Sequence, residues 1–356
     1  MPLRCITTAG DSLLSLDYDT VAWDRLRDEN ARMGHLLTTC CSTPVVLKRS
    51  RRGLHFFAHK HQGECATAVE SRQHLELKAL AVSVIRACGW SVETEVAGTT
   101  PDGEPWVADV LASRGNAKVA VEIQWSPQTD DETAARQARY ERSGVRGLWL
   151  FHQANFPVER GVPAACVEED AAGGYVAMLG AEPSLARRSR ARPEDWQQSM
   201  PAGELIRAAF EGRFWFGLLQ PGTYATVKCV GGFVKCWKCQ EWTNVLYNLE
   251  LCSAEQGAES ADFGVSEIPE DLLPELIPNP LRAWKVGQIK KRFSHTEGAS
   301  YVSNGCVECD ALQGRFFMTE IMHRLKPITE YPVKVSKRLA AAVDDQYGAR
   351  WHVSHS

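Results

Sequence analysis

Apolar positions along this chain fall into runs whose period changes, and the change is sharpest between residues 66 and 151. In ATAVESRQHLELKALAVSVIRACG, Val69, Leu75, Leu77, Leu80, Val84 and Ile85 form a helical apolar face, and Gly89 supplies a stop. Strand-length runs follow, SVETEVAG, EPWVADVLAS and KVAVEIQWS, separated by Gly, Pro or Asn. TDDETAARQARYERSG reads as a helix capped at Thr129 or Asp130, and VRGLWLFHQ as a buried strand. The predicted order is α-β-β-β-α-β, and the fold class α/β.

Polar residues interrupt this apolar pattern at particular places. Asp109 falls in the middle strand, while Glu122 and Gln124, two residues apart on the next, share one face. Carboxylates from adjacent strands make the oxygen-rich surroundings a hard cation such as Mg²⁺ requires, and such a cation activates water and neutralises charge on a phosphate. A strand with solvent-facing Glu and Gln fits these positions equally well. ESRQHLELK sets Glu70, His74 and Lys78 at i, i+4 and i+8 along one side of the first helix. Charge pairing on an exposed helix face would account for Lys78 and Glu76 without any chemistry.

Taken in order, HFFAH, ESRQHLELK, WVADV, VEIQWS, a helix with Arg139 and Tyr140, and GLWLF resemble the competence protein CoiA-like family of the PD-(D/E)XK nuclease superfamily, over roughly residues 36 to 152. The resemblance implies a restriction-endonuclease-like three-layer core (αβββαβ). In it Asp109 and Glu122 bind the catalytic Mg²⁺ or Mn²⁺, Glu70 contributes to the same site, and His74 or Lys78 assists at the phosphate. Gln124 stands at the superfamily's lysine position; a glutamine carries no positive charge but can orient water or contact phosphate. The implied activity is hydrolysis of phosphodiesters in DNA, with RNA also open, in uptake, recombination or defence against foreign DNA. A fold that binds nucleic acid without turnover is the alternative, and Gln124 is its main support.

The rest of the chain adds metal chemistry. Twelve cysteines occur in 356 residues, while MPLRCITTAGDSLLSL lacks the apolar core of a signal peptide and no run is long enough to span a bilayer. The expectation is a soluble cytoplasmic protein with reduced thiols and zinc. KCWKCQ and GCVECD offer Cys236, Cys239, Cys306 and Cys309 as a structural four-thiolate zinc site, with free thiols or a redox pair as the other reading and Cys229 as a substitute ligand. The span 240–305 reads as an acidic, turn-rich insertion, and Phe214, Trp215, Phe216, Trp237 and Trp242 as the core of the zinc module rather than a base-stacking platform. Cys40, Cys41, His55, His59, His61 and Cys65 pose a second metal question, against a packed hairpin; His55 and His59 are also candidates for the nuclease entrance.

A net charge of -4 argues against a generally basic nucleic-acid binder, which leaves local patches. Lys48, Arg49, Arg51 and Arg52, with Arg139, are the candidate phosphate contacts, and ARRSRAR at 186–192 is a second basic run. The predicted organisation is an N-terminal helix and β-rich element to residue 62, a nuclease-like core over 63–185, and an α+β zinc-ribbon-like domain over 186–356 that holds a surface for nucleic acid or a partner protein.

Overall fold

The structure is a computed structural model that describes residues 2–61, 65, 70–153, 156–180, 196–253, 259–315, 319 and 321–354. It divides into two compact units, Met1–Phe216 with Arg350–Ser356, and Gly217–Ala349. The boundary expected near residue 185, the basic run 186–192 and Val69 lie outside the described residues. The first unit extends to Phe216 because Ala202–Phe210, an apolar helix, buries Leu205, Ile206, Ala208 and Phe210 in that unit's core.

The N-terminal element is built on a short antiparallel sheet, β1 (Arg4–Thr7) between β2 (Ser12–Leu14) and β3 (Leu36–Leu37). Helix α1 (Thr20–Met33) starts where the Asp19 side chain accepts from the Ala22 N–H and stops at Gly34, whose φ of 63° suits glycine. A hairpin of β4 (Val45–Arg49) and β5 (His55–His59) follows. Trp23, Phe57, Cys5, Leu36 and Val45 close a small core of their own.

The expected αβββαβ order is present. Helix α2 (Arg72–Ala87) leads into β6 (Ser91–Thr99), β7 (Pro105–Arg114), β8 (Ala117–Gln124), α3 (Asp130–Arg142) and β9 (Arg146–Phe151). Strands β6, β7 and β8 form an antiparallel meander, β9 runs parallel to β8, and β10 (Ala164–Glu169), β11 (Tyr175–Leu179) and β12 (Gln198–Pro201) complete a seven-stranded sheet. Alternation along β8 splits the packing: Val121 and Ile123 join α2 and α4 (Ala202–Phe210) in one cluster, while Ala120 joins Tyr140 of α3 in another. Thr129 caps α3 through a reciprocal box with Glu132. Phe214, Trp215 and Phe216 form β13 (Phe214–Phe216), which pairs with β21 (Trp351–Val353) in this unit and is no part of the zinc module.

The second unit contains a four-stranded sheet of β14 (Tyr224–Lys235), β15 (Trp242–Ser253), β16 (Glu259–Gly264) and β20 (Lys326–Lys334). A smaller sheet joins β17 (Ile289–Ser294), β18 (Ala299–Gly305) and β19 (Leu312–Gln313), and α5 (Lys337–Tyr347) buries Leu339, Ala340 and Val343. The span expected to be a surface insertion therefore supplies central strands; β15 alone contributes Val245, Leu246, Leu249 and Leu251 to the buried core. Its acidic residues fall partly within β16, at Glu259 and Asp262, and partly in the short helical turns that follow, at Glu267, Glu270, Asp271 and Glu275. No helix among the described residues is long and apolar enough to cross a membrane.

Candidate metal and nuclease site

An irregularity in the β6–β7 ladder prepares the site. Thr94 pairs with Val110 and Val96 with Ala108, so Glu95 and Asp109 are both left out of the register. Glu95 takes a left-handed φ of 49°, which re-aims its side chain without shifting the register of the two strands. Pairing of β7 with β8 also stops at Val110, and an Asp109 oxygen instead accepts the Ile123 N–H at 2.9 Å. Asp109 thus stands where the strands part.

Helix α2 brings the other groups. Its first residue is Arg72 with Ser71 as cap, so Glu70 precedes the helix rather than lying on it. Even so, Glu70, His74 and Asp109 present ligand atoms that all lie within 4.8 Å of one another, with His74 Nε2 3.2 Å from an Asp109 oxygen. Burial alone would raise the Asp109 carboxyl, but the His74 hydrogen bond and charge, the Lys78 charge and the Ile123 N–H hold it down at about 2. Two carboxylates and an imidazole suit a divalent cation and leave coordination positions for water and phosphate.

Lys78 departs from the sequence expectation. Its side chain is fully enclosed, with Nζ 2.7 Å from Glu70 and 2.5 Å from Glu95, so it is neither a solvated surface charge nor a group able to reach a phosphate. Burial opposes its charge, yet Glu95, Glu70 and Asp109 outweigh that and raise its pKa. Glu95, which sequence reasoning missed, also accepts the Leu3 N–H at 3.2 Å.

Glu122 is not in the ligand trio that the structure assembles around Asp109. Its carboxylate, almost wholly buried, meets Arg136 and the Tyr140 hydroxyl of α3 instead. Burial, then the Asp109 charge, pushes it up to about 8, against Arg136, Tyr140 and the Asp109 N–H. The Tyr140 hydroxyl also lies 3.0 Å from the Val107 carbonyl. One phenol proton cannot serve two acceptors, so a proton on Glu122 satisfies both contacts. Gln124 is half-buried and donates to the Ser126 carbonyl at 2.7 Å.

The basic candidates separate. Lys48 and Arg51 are exposed and enter no ion pair among the described residues, and Arg139 is half-buried on α3. Arg49 instead pairs with Asp24 at 3.5 Å and donates to His55. Arg52 spans Glu76 at 3.0 Å and Glu169 at 2.8 Å, while Arg72 grips the same two acids, so Arg52 is a structural clamp and not a free phosphate contact. His55 stacks on Trp23 at 4.8 Å within the small N-terminal core, away from any entrance role.

Two cysteine clusters have the geometry of tetrahedral metal sites. Cys236, Cys239, Cys306 and Cys309 converge, with sulfurs 3.7 Å (Cys236–Cys309) and 3.6 Å (Cys239–Cys306) apart. Zinc bonded at about 2.3 Å sets neighbouring thiolates about 3.8 Å apart. Both loops share one construction: Cys236 N–H donates to Glu241 and Gln240 N–H to Cys236, as Cys306 N–H does to Ala311 and Asp310 N–H to Cys306. Gln240 and Asp310 accordingly take positive φ, 65° and 54°. Cys229 lies elsewhere, buried with its thiol 3.6 Å from the Tyr331 hydroxyl.

In the first unit Cys40, Cys41, His59 and Cys65 form the second cluster, with Cys40 3.7 Å from both other sulfurs and His59 Nε2 3.5 and 3.3 Å from Cys40 and Cys41. Hydrogen bonds from Thr38 and Thr43 lead the causes that lower the Cys41 thiol to about 5, which favours the ligating thiolate. The adjacent cysteines both reach this group, and Ser42 next to them turns the chain at a φ of 53°. His61 is exposed and outside this group.

No curated protein matches the chain. Residues 70–161 match the family model of the competence protein CoiA nuclease-like domain, a segment that begins at Glu70 and holds His74, Lys78, Glu95, Asp109, Glu122 and Gln124. The αβββαβ segment that gathers these groups is therefore similar to the nuclease-like domain of competence protein CoiA.

Proposed function

We propose that the protein is a metal-dependent nuclease that hydrolyses phosphodiester bonds in DNA, with a restriction-endonuclease-like core. The convergence of Glu70, His74 and Asp109 at the point where β7 and β8 part, inside the CoiA nuclease-like domain, carries this reading. These three residues would hold Mg²⁺ or Mn²⁺, which when bound supplies an activated water and positive charge against the phosphate. Asp109, kept ionised by its neighbours, is the principal anionic ligand. Lys78 bridges Glu70 and Glu95 and so holds Glu70 in place, which makes Lys78 and Glu95 positioning residues. Glu122 stores a proton beside Asp109, and Gln124, beside it on the strand, orients water without acting as a base. Exposed Lys48 and Arg51 supply phosphate contacts.

The cysteine clusters are read as structural zinc sites, since each closes four ligands around one point. Uptake, recombination and defence against foreign DNA are all settings for such an enzyme. The test is incubation of the zinc-loaded protein with linear, circular, single-stranded and branched DNA, and with RNA, plus Mg²⁺ or Mn²⁺. Cleavage that requires the cation and vanishes in folded Asp109→Ala supports the reading. A folded variant that cuts as well as its parent would refute it.

A further inference from the structure

The second unit displays exposed rings, two of which, Trp237 and Trp242, its sequence suggests are buried. Trp237 is 58% exposed, Trp242 55%, Trp284 44% and Phe233 43%. Two of these, Trp242 and Phe233, share one face of the sheet, and Trp284 lies in a turn tied to it. Trp242 lies opposite Lys235 in the β14–β15 ladder and Phe233 lies two residues before Lys235 on the same strand. Asn244, opposite Phe233, ties in the neighbouring turn: its side-chain amide donates to the Trp284 carbonyl at 2.6 Å and its N–H to the Lys285 carbonyl at 2.7 Å. Lys326 stands 5.4 Å above the Phe233 ring.

The charges around these rings point to their partner. Lys235, Lys285 and Lys326 are exposed and enter no ion pair among the described residues, and neither does Lys238 on the adjoining cysteine loop. Lysine is depleted where proteins meet proteins, whereas phosphate chains recruit it. A duplex hides the faces of its bases, so exposed rings find stacking partners only on an unpaired strand. We propose that this face binds single-stranded nucleic acid, with bases stacked on Trp242 and Trp284 and phosphates held by Lys235, Lys285 and Lys326. The site lies wholly in the second unit and does not depend on the carboxylate site.

The test uses the full zinc-loaded chain without added Mg²⁺ or Mn²⁺. Labelled oligothymidylate, oligouridylate and a duplex of equal length are titrated by fluorescence anisotropy across a salt series. The unpaired strands should bind more tightly than the duplex and quench tryptophan emission. Trp242→Ala should weaken single-strand binding about tenfold, Trp242→Phe less, and Lys235→Glu with Lys285→Glu should flatten the salt dependence. Zinc content reports that each variant is folded, and the lysine pair reads the same face should the tryptophan variant fail to fold. Asp109→Ala should bind as its parent does, which separates this outcome from that for cleavage. Unchanged single-strand binding by folded Trp242→Ala, equal affinity for duplex, or dissociation of a dimer by that variant would overturn the proposal.

Discussion

Replacing Lys78 by methionine removes the fully enclosed charge of a triad whose two carboxylates are half-buried, while nearly preserving volume. Glu70 and Glu95, 2.7 and 2.5 Å from its ammonium, then face each other and Asp109 without that ammonium between them. Removing one partner from a buried ion pair costs about 3–5 kcal/mol, because the remaining charge keeps its desolvation penalty. Two carboxylates are stranded here, so the upper part of that range is expected at pH 7. The pH dependence follows from the signs. In the parent Lys78 has a raised pKa, so its stabilisation is complete below the ordinary lysine value and fades only as pH climbs through the raised one. In the variant the deficit shrinks as pH falls, because protonation removes the charge of the stranded carboxylates. Urea unfolding of parent and variant at pH 7 and pH 4.5 reads this directly, and Glu95→Gln added to Lys78→Met should restore part of the loss. A deficit below about 1 kcal/mol at pH 7, or one independent of pH, would contradict the triad as the organiser of the site.

Other outcomes follow from the same geometry. The protein should hold two zinc ions per chain by elemental analysis, one lost in Cys306→Ser and the other in Cys40→Ser; a count of one that survives Cys40→Ser would remove the first-unit site. Glu122 has a folded pKa raised to about 8, so its ionisation in the unfolded chain destabilises the fold progressively between the ordinary glutamate value and pH 8, by at most about 1.4 kcal/mol for each step of one in pH. Glu122→Gln should therefore gain on the parent in thermal melts as pH rises from 5 to 8.5, and parallel curves would show that Glu122 is not held protonated.

The central αβββαβ order is legible in the sequence because each element carries its own period: Val121 and Ile123 alternate with Ala120 and Glu122, while Leu75, Val82 and Ile85 recur at helical spacing. The carboxylates are legible too, as polar breaks in apolar strands. Their partners are not. The simultaneous skip of Glu95 and Asp109 is a property of two strands paired together, and no single-strand pattern reports it. Spacing likewise places Lys78 in line with Glu70 and His74 but says nothing of the enclosed volume that makes it a structural cation. Glu122 reads as a ligand until Arg136 and Tyr140 arrive from α3, a helix whose facing residues are set by packing. The four-cysteine site is legible from paired CxxC spacing, whereas Cys40, Cys41, His59 and Cys65 follow no such spacing and meet through a turn and a strand end. Trp237 and Trp242 look like core because tryptophan is apolar; their exposure depends on which face of the sheet is covered.

The central claim is that Glu70, His74 and Asp109 form one divalent-cation site. Titration of Mn²⁺ into the zinc-loaded protein, followed by the electron paramagnetic resonance of the free ion, tests it without reliance on any substrate. One Mn²⁺ should bind per chain, and folded Asp109→Ala should lose it while Trp242→Ala keeps it. No bound Mn²⁺ in the parent, or the same uptake by Asp109→Ala, would contradict the account.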